Sequence, residues 1–311
     1  MVDMTRITTP FNAKTTAAEV LAGVELTGRR IIVTGGASGI GLETTRALRA
    51  AGAEVTVATR NPAPGDRALD LSDLGSVRAF VAGWDGPVHA IVANAGIMAL
   101  PTRQVAANGW ELQLATNFLG HFALITGLHD HLRQAGDARV VTVSSGAQLR
   151  APVDFDDPHF ERRPYDPWDA YAQSKTADVL LAVGLARRWA GDGITANAFE
   201  PGYVHTNLQR HLDEEFLRGA GMLDDEGNLL TPDHFTTPEQ GAATAVLLAA
   251  SPLMDGVTGR YFTHDNQEAE VVRGGPESMT GVAAWSVDRA AADRLWDYAH
   301  EALTGAPTVV E

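Results

Sequence analysis

The chain has 311 residues, enough for one large α/β domain or two small ones, and its 45% hydrophobic and 20% charged content excludes wholesale disorder. Thirty-nine acidic residues against 24 basic ones give a net charge of −15, a surface that repels nucleic-acid phosphates and anionic lipid. With no cysteine, disulfides, thiolate-bound metals and cysteine nucleophiles are excluded together. No apolar run reaches the length of a membrane span and the first twenty residues lack a basic start followed by an apolar stretch, so a cytoplasmic protein without a membrane, nucleic-acid or metal partner is expected.

Short β-branched runs followed by helical patterns recur along the chain. Arg30–Thr34 predicts a strand and Gly39–Ala51 a helix; Glu54–Thr59 predicts the second strand and Arg67–Leu69 a very short third, before a helix over Leu74–Gly83. His89–Ala93 predicts the fourth strand and a helix spans roughly Gly109 to Gln134. Arg139–Ser144 is the fifth strand, followed by a polar insertion and a helix from about Asp169 to Ala190; then come a strand at Thr195–Phe199, a helix at Pro238–Ala250 and a closing strand at Gly259–Thr263. Runs such as IIV and AIVA are apolar on both faces, as in strands covered by helices on either side. The reading is a single Rossmann-type α/β domain, a doubly wound parallel sheet with helices on both faces, over residues 29–271. Residues 1–28 form an N-terminal lead, 206–236 are long enough to be a lid, and 272–311 form a C-terminal tail of the same domain with a helix at Val287–Leu303 presenting Ala291, Leu295, Trp296 and Tyr298.

Between the first strand and the first helix runs Thr34-Gly35-Gly36-Ala37-Ser38-Gly39-Ile40-Gly41. Its G-x-x-x-G-x-G spacing provides a tight turn, close backbone approach to a pyrophosphate, and a helix N-terminus aimed at the anion. A nucleotide-triphosphate P-loop is excluded, because Leu42 stands where that loop needs Lys. The second strand ends in Thr59 and Arg60 where an acid would select NAD; a missing acid beside an Arg that can pair with a 2′-phosphate favours NADP(H) over NAD(H), a solvated surface Arg being the competing reading.

Tyr171 and Lys175 lie four apart at the start of a helix and so share one face. Of the 24 basic residues only Lys14 and Lys175 are lysines, so a chain that otherwise writes Arg has written Lys here. Making a phenol of ordinary pKa exchange protons at neutrality requires lowering it by about three units, roughly 4 kcal/mol. A nearby ammonium, helped by a cationic pyridine ring, supplies such a term, and its compact charge also suits ribose hydroxyls.

With these two motifs the chain resembles the short-chain dehydrogenase/reductase family, most closely its retinol-dehydrogenase-like branch, from about Gly28 to Ala269. Asp70-Leu71, Ala93-Asn94-Ala95-Gly96, Asn117 in LATNFLGHF, Ser144-Ser145-Gly146 and Pro201-Gly202-Tyr203-Val204-His205-Thr206 match family landmarks in order, and LDLSDLGSVRAF and TPEQGAATAVLLAASP match the branch. Ala93 departs from the pattern, standing where many members have Asn. The resemblance implies a catalytic tetrad of Asn117, Ser145, Tyr171 and Lys175. Tyr171 would be the acid/base, Ser145 the hydrogen-bond partner of the substrate oxygen, Lys175 the tuner of the phenol and holder of ribose, and Asn117 the anchor of a relaying water. It implies cofactor contacts from Gly35, Ser38, Gly39, Ile40, Gly41, Thr59, Arg60, Asp70, Leu71, Asn94, Ala95, Gly96, Tyr171, Lys175, Pro201, Gly202, Val204 and Thr206. Ser145 is preferred to Ser144 because strand alternation lets only one of the two face the site.

Leu208, Leu212, Phe216, Leu217, Met222 and Leu223 of the lid, Phe155, Phe160 and Trp168 of the insertion, and Met98 and Leu100 would line an apolar cleft. The expected substrate is thus a small hydrophobic ketone, aldehyde or alcohol. A catalytically silent NADP-binding regulator is the alternative reading, and the resemblance leaves a homodimer through the helices of Asn117 and Tyr171 open.

Overall fold

The computed structural model describes residues 6–304 except 213, 220, 225 and 231, with the side chain of residue 216 also outside the described set. Seven strands, Arg30–Thr34 (β1), Glu54–Thr59 (β2), Arg67–Ala68 (β3), Ala90–Ala93 (β4), Arg139–Val143 (β5), Thr195–Phe199 (β6) and Tyr261–Phe262 (β7), form one sheet in the order β3-β2-β1-β4-β5-β6-β7. Every pairing in it is parallel. The strands are apolar on both faces because both are covered: all four residues of β4 are buried, as are Ile31, Ile32 and Val33 of β1.

The helices divide between the faces. Leu74–Ala82 (α2), the bent run 112–127 (α3), Pro167–Arg188 (α5) and Arg289–Thr304 (α7) bury Phe80, Phe118, Ile125, Leu180 and Leu295 with Ile32, Ile91 and Val140 in one core. Gly39–Ala50 (α1) and the run 238–250 (α6) bury Leu48, Val246 and Leu247 with Ile31, Val33, Val92 and Val141 in the other. The short helix Ala17–Val20 of the lead adds Val20 to this second core. Strand order reverses between β1 and β4, which opens a crevice at the carboxyl ends of the strands, the place such sheets hold ligands.

Most element bounds agree with the sequence reading to within two residues. The expected helix over 109–134 is instead α3 and a separate helix, His129–Ala135 (α4). Within α3 a π-helical turn, Ala115–Leu119, carries Asn117, and Gly136 in the left-handed conformation ends α4. Two parallel two-residue ladders were not foreseen, Tyr203–Val204 with Phe235–Thr236 and Val271–Val272 with Val282–Ala283; both are too short for a sequence period. In the lead, Ile7 exchanges backbone and side-chain hydrogen bonds with Glu268 beyond β7. In the tail, Trp296 packs edge-on against Phe122 at 4.9 Å and Trp189 at 6.1 Å. Among the described residues no helix is long and apolar enough to cross a membrane.

Gly120 fixes how closely α3 approaches the turn at Leu71: a Cβ there would stand 2.1 Å from the Leu71 carbonyl oxygen and 2.7 Å from the Leu71 Cβ. Backbone cannot yield as a flexible side chain does, so Gly120→Ala is expected to cost about 3 kcal/mol in chemical denaturation despite alanine's better helix propensity. A cost below about 0.5 kcal/mol would show that the turn moves aside freely.

Candidate active site

Thr34, the last residue of β1, organises the cleft. Its Oγ1 accepts hydrogen bonds from the backbone N–H groups of Asn94 (2.9 Å) and Ala95 (3.0 Å), and the Asn94 amide donates to its carbonyl at 2.9 Å. The glycine turn and the loop after β4 are thereby tied together. Gly41 packs into that joint, where a Cβ would stand 2.4 Å from the Gly35 carbonyl oxygen and 2.5 Å from the Asn94 amide nitrogen. Gly35 and Gly39 adopt φ of 65° and 53°, the left-handed region that glycine occupies without strain. Ser38 caps α1 without a side-chain hydrogen bond, leaving the first-turn N–H groups directed at the cavity.

That cavity has a volume of about 1450 Å³. Each cofactor residue implied by the resemblance lines it, from the glycine turn through Arg60, Asp70 and the Asn94–Gly96 loop to Pro201, Gly202, Val204 and Thr206, together with Ser145, Tyr171 and Lys175. N–H groups at a helix start, a glycine cradle, the Arg60 guanidinium and the Lys175 ammonium fit a dinucleotide. Asn117 is the exception and does not line the cavity. Its side chain lies behind the Gly96 turn, accepting from the Ile97 N–H (2.9 Å) and donating to the Ile97 carbonyl (3.0 Å) and Ser174 Oγ (2.9 Å). Its own carbonyl meets the His121 ring at 2.7 Å. Asn117 is thus a clamp on the loop in this chain.

The two serines after β5 diverge as strand alternation requires. Ser144 is buried and donates to the Lys175 carbonyl at 2.8 Å, whereas Ser145, in extended backbone, turns its hydroxyl toward the Tyr171 phenol. Tyr171 is only 3% exposed and packs against Met98, Trp168, Leu208 and Leu212. The Lys175 Nζ lies 5.8 Å from the centre of the Tyr171 ring and donates to the Val143 carbonyl at 2.8 Å and to Asp178 Oδ2 at 2.9 Å. In the chain by itself burial holds the phenol above its ordinary pKa; the Lys175 charge and the Ser145 hydroxyl pull it down and Asp178 opposes them. The expected lowering of this phenol is therefore not a property of the protein groups alone, because desolvation outweighs the ammonium.

Several site residues escaped the sequence reading. Asp178 is one. Glu200 and His264 face the cavity as a pair, Oε1 to Nδ1 at 3.0 Å, and the carboxylate raises the imidazole's pKa; Gly202 leaves room for the His264 ring, which would meet a Cβ at 2.9 Å. Gln148, fully buried, holds the tail by donating to the Gly281 carbonyl (3.0 Å) and accepting from the Ala283 N–H (2.9 Å) and Ser286 hydroxyl (3.0 Å). The loop 275–281 so held forms a wall of the cavity. Of the expected apolar residues, Met98, Trp168, Leu208, Leu212 and Met222 line it. Leu100, Phe155, Phe160, Leu217 and Leu223 do not: Phe155 lies under the Arg294 guanidinium and Phe160 against Tyr165 and Arg163. The ring of Phe216 lies outside the described residues.

Comparison with known proteins agrees with this geometry. A family model described as short chain dehydrogenase matches residues 29–216. A protein named probable oxidoreductase from Streptomyces antibioticus is 61% identical over 300 residues, covering 91% of this chain and 100% of its own. Human retinol dehydrogenase 12 is 33% identical over 300 residues, covering 90% and 88%. The crystal structure of an uncharacterized protein from Mycobacterium paratuberculosis superposes with a TM-score of 0.70 at 31% identity, over 96% of this chain and all of that one. The chain thus belongs to the short-chain dehydrogenase/reductase family and is an NAD(P)-binding oxidoreductase of alcohol and carbonyl groups.

Proposed function

We propose that the protein interconverts a hydrophobic ketone or aldehyde and its alcohol with NADP(H), Tyr171 serving as acid and base. The observation that carries this reading is one cavity that holds a buried phenol between a serine hydroxyl and an ammonium, the glycine turn at one end and apolar walls around the phenol. The reduced dinucleotide, when bound, supplies a hydride. Tyr171 gives its proton to the substrate oxygen on reduction and withdraws it on oxidation. Ser145 donates to the same oxygen and stabilises charge as it develops there. Lys175 spends two of its three N–H donors on Val143 and Asp178, leaving the third for ribose hydroxyls. Asn117 keeps the Gly96–Ile97 turn seated beside Lys175. Residues 206–236, which contribute Leu208, Leu212 and Met222, act as the substrate lid.

The test is hydride transfer from NADPH, followed at the absorbance band of the reduced nicotinamide, to matched apolar and polar carbonyl compounds. The expected kcat/KM rises with apolar bulk, by about tenfold for each well-buried addition of two methylenes. Equal rates for apolar and polar compounds of one size would overturn the substrate reading, and NADH serving as well as NADPH would overturn the cofactor reading.

A further inference from the structure

Asp178 follows Lys175 by three residues on α5, and the two side chains meet at 2.9 Å with 4% and 6% exposure. Neither placement is loose. The Asp178 carbonyl accepts from the Thr142 hydroxyl of β5 at 2.8 Å, and the Lys175 Nζ also donates to the Val143 carbonyl of β5 at 2.8 Å. The helix turn, the strand and the ion pair therefore form one rigid unit beneath Tyr171. An ammonium buried with only a carbonyl for company gives up its proton readily, whereas a carboxylate in contact holds it.

Resting on the acid–base reading of Tyr171, we propose that Asp178 is a positioning residue, the buried counter-ion that keeps the Lys175 ammonium charged and seated beside Tyr171. The balance of forces agrees with the geometry. Burial is the largest influence on Lys175 and acts to discharge it, yet the Asp178 charge and hydrogen bond, with Tyr171, leave its pKa raised. Burial lifts the Asp178 carboxyl to about 7 against the pull of Lys175. Two buried groups in such close contact titrate as a pair. Among the described residues the other titratable groups facing this unit are Tyr171 on the same helix, His121 on α3 and Tyr261 on β7. Burial, with a smaller contribution from Lys175, drives the His121 pKa down to about 4, so it stays uncharged, and Tyr261 is pushed up by burial, so it stays protonated. Among the described residues Asp178 is thus the sole carboxylate in contact with the ammonium.

Two readouts test this in the full-length enzyme. The first is the pH profile of alcohol oxidation, which needs the Tyr171 phenolate. Asp178→Asn keeps the shape and removes the charge; without its counter-ion the lysine discharges, the buried phenol keeps its proton, and the acid limb moves up by about one pH unit or more. Asp178→Glu returns the limb toward wild type. The second readout is free of activity and so separates this proposal from the functional reading beneath it. Lysine labelled with carbon-13 at Cε gives two signals, since Lys14 and Lys175 are the only lysines, and Lys14→Arg assigns them. The wild-type Lys175 signal is expected to stay at the ammonium position beyond the ordinary lysine range, and that of the Asn variant to titrate at lower pH than wild type's. An acid limb that stays put or moves down, an Asn variant whose lysine stays charged as long as wild type's, or a wild-type Lys175 already neutral at pH 8 overturns the proposal. Should the Asn variant fail to fold, the wild-type signal alone decides.

Discussion

Tyr171→Phe is expected to lower kcat for carbonyl reduction by about 10³-fold while leaving NADPH affinity within about twofold. The substitution is volume-conserving in a site where the ring is nearly fully buried against Met98, Trp168, Leu208 and Leu212, so packing survives and only the hydroxyl is lost. The Lys175 contacts to Val143 and Asp178 do not involve that hydroxyl and remain. Stopped-flow rates at saturating substrate, with cofactor affinity measured by fluorescence titration, separate the two effects. A tenfold loss or less would mean that water or Ser145 delivers the proton. A parallel loss of NADPH binding would mean that the phenol holds the cofactor instead.

The direction of the phenol's pKa sharpens this expectation. Burial raises it in the protein alone, so the ammonium and serine act against a standing desolvation cost. A phenol that keeps its proton at neutrality is already in the form that reduction consumes. Oxidation must first deprotonate it, so the reverse rate is expected to climb with pH across a range where the forward rate is level or falling.

What could be read from the chain differs by the range of the interaction. Strand runs such as Ile31–Val33 and Ile91–Val92 announce themselves because burial on both faces leaves no polar position, and the glycine turn announces itself because φ near 60° and a Cβ-free approach admit little else. Tyr171 and Lys175 are legible for the same reason: one helical turn fixes their separation. Ser145 against Ser144 also follows from a local rule. Residues whose role depends on a distant partner were not legible. Glu200 means nothing until β7 brings His264 beside it, and Gln148 is an ordinary polar residue until the tail closes over it. Phe155 and Phe160 look like cleft residues by hydrophobicity, but the insertion folds back so that their rings meet arginines and Tyr165. Asp178 is the instructive intermediate case. Its i+3 spacing from Lys175 was visible, but the burial that makes the pair consequential was not.

Arg60→Asp is expected to weaken NADPH binding by about 100-fold while changing NADH binding by less than about threefold. Arg60, the residue after β2, is exposed at the cavity, and none of the ion pairs among the described residues involves it. Arg210, on the short helical turn Asn207–His211, faces the same space and donates to the Asn207 carbonyl at 2.8 Å. Burial, and then the charge of Arg60, lower the Arg210 pKa, a sign that the two guanidinium groups are held toward each other. Such a pair is relieved by an anion, and a charge-assisted hydrogen bond to a 2′-phosphate contributes about 1.5–3 kcal/mol, or roughly 10- to 150-fold in affinity. Replacing Arg60 by Asp removes that bond and adds repulsion, while the ribose hydroxyls of NADH gain an acceptor. Because both guanidinium groups would hold the same phosphate, Arg210→Ala is expected to lose NADPH affinity less than additively in the Arg60→Asp background, once the first substitution has displaced the phosphate. Isothermal titration of both cofactors against both single variants and the double variant measures the coupling. Equal weakening of NADPH and NADH would assign Arg60 to solvent and leave Arg210 without a ligand.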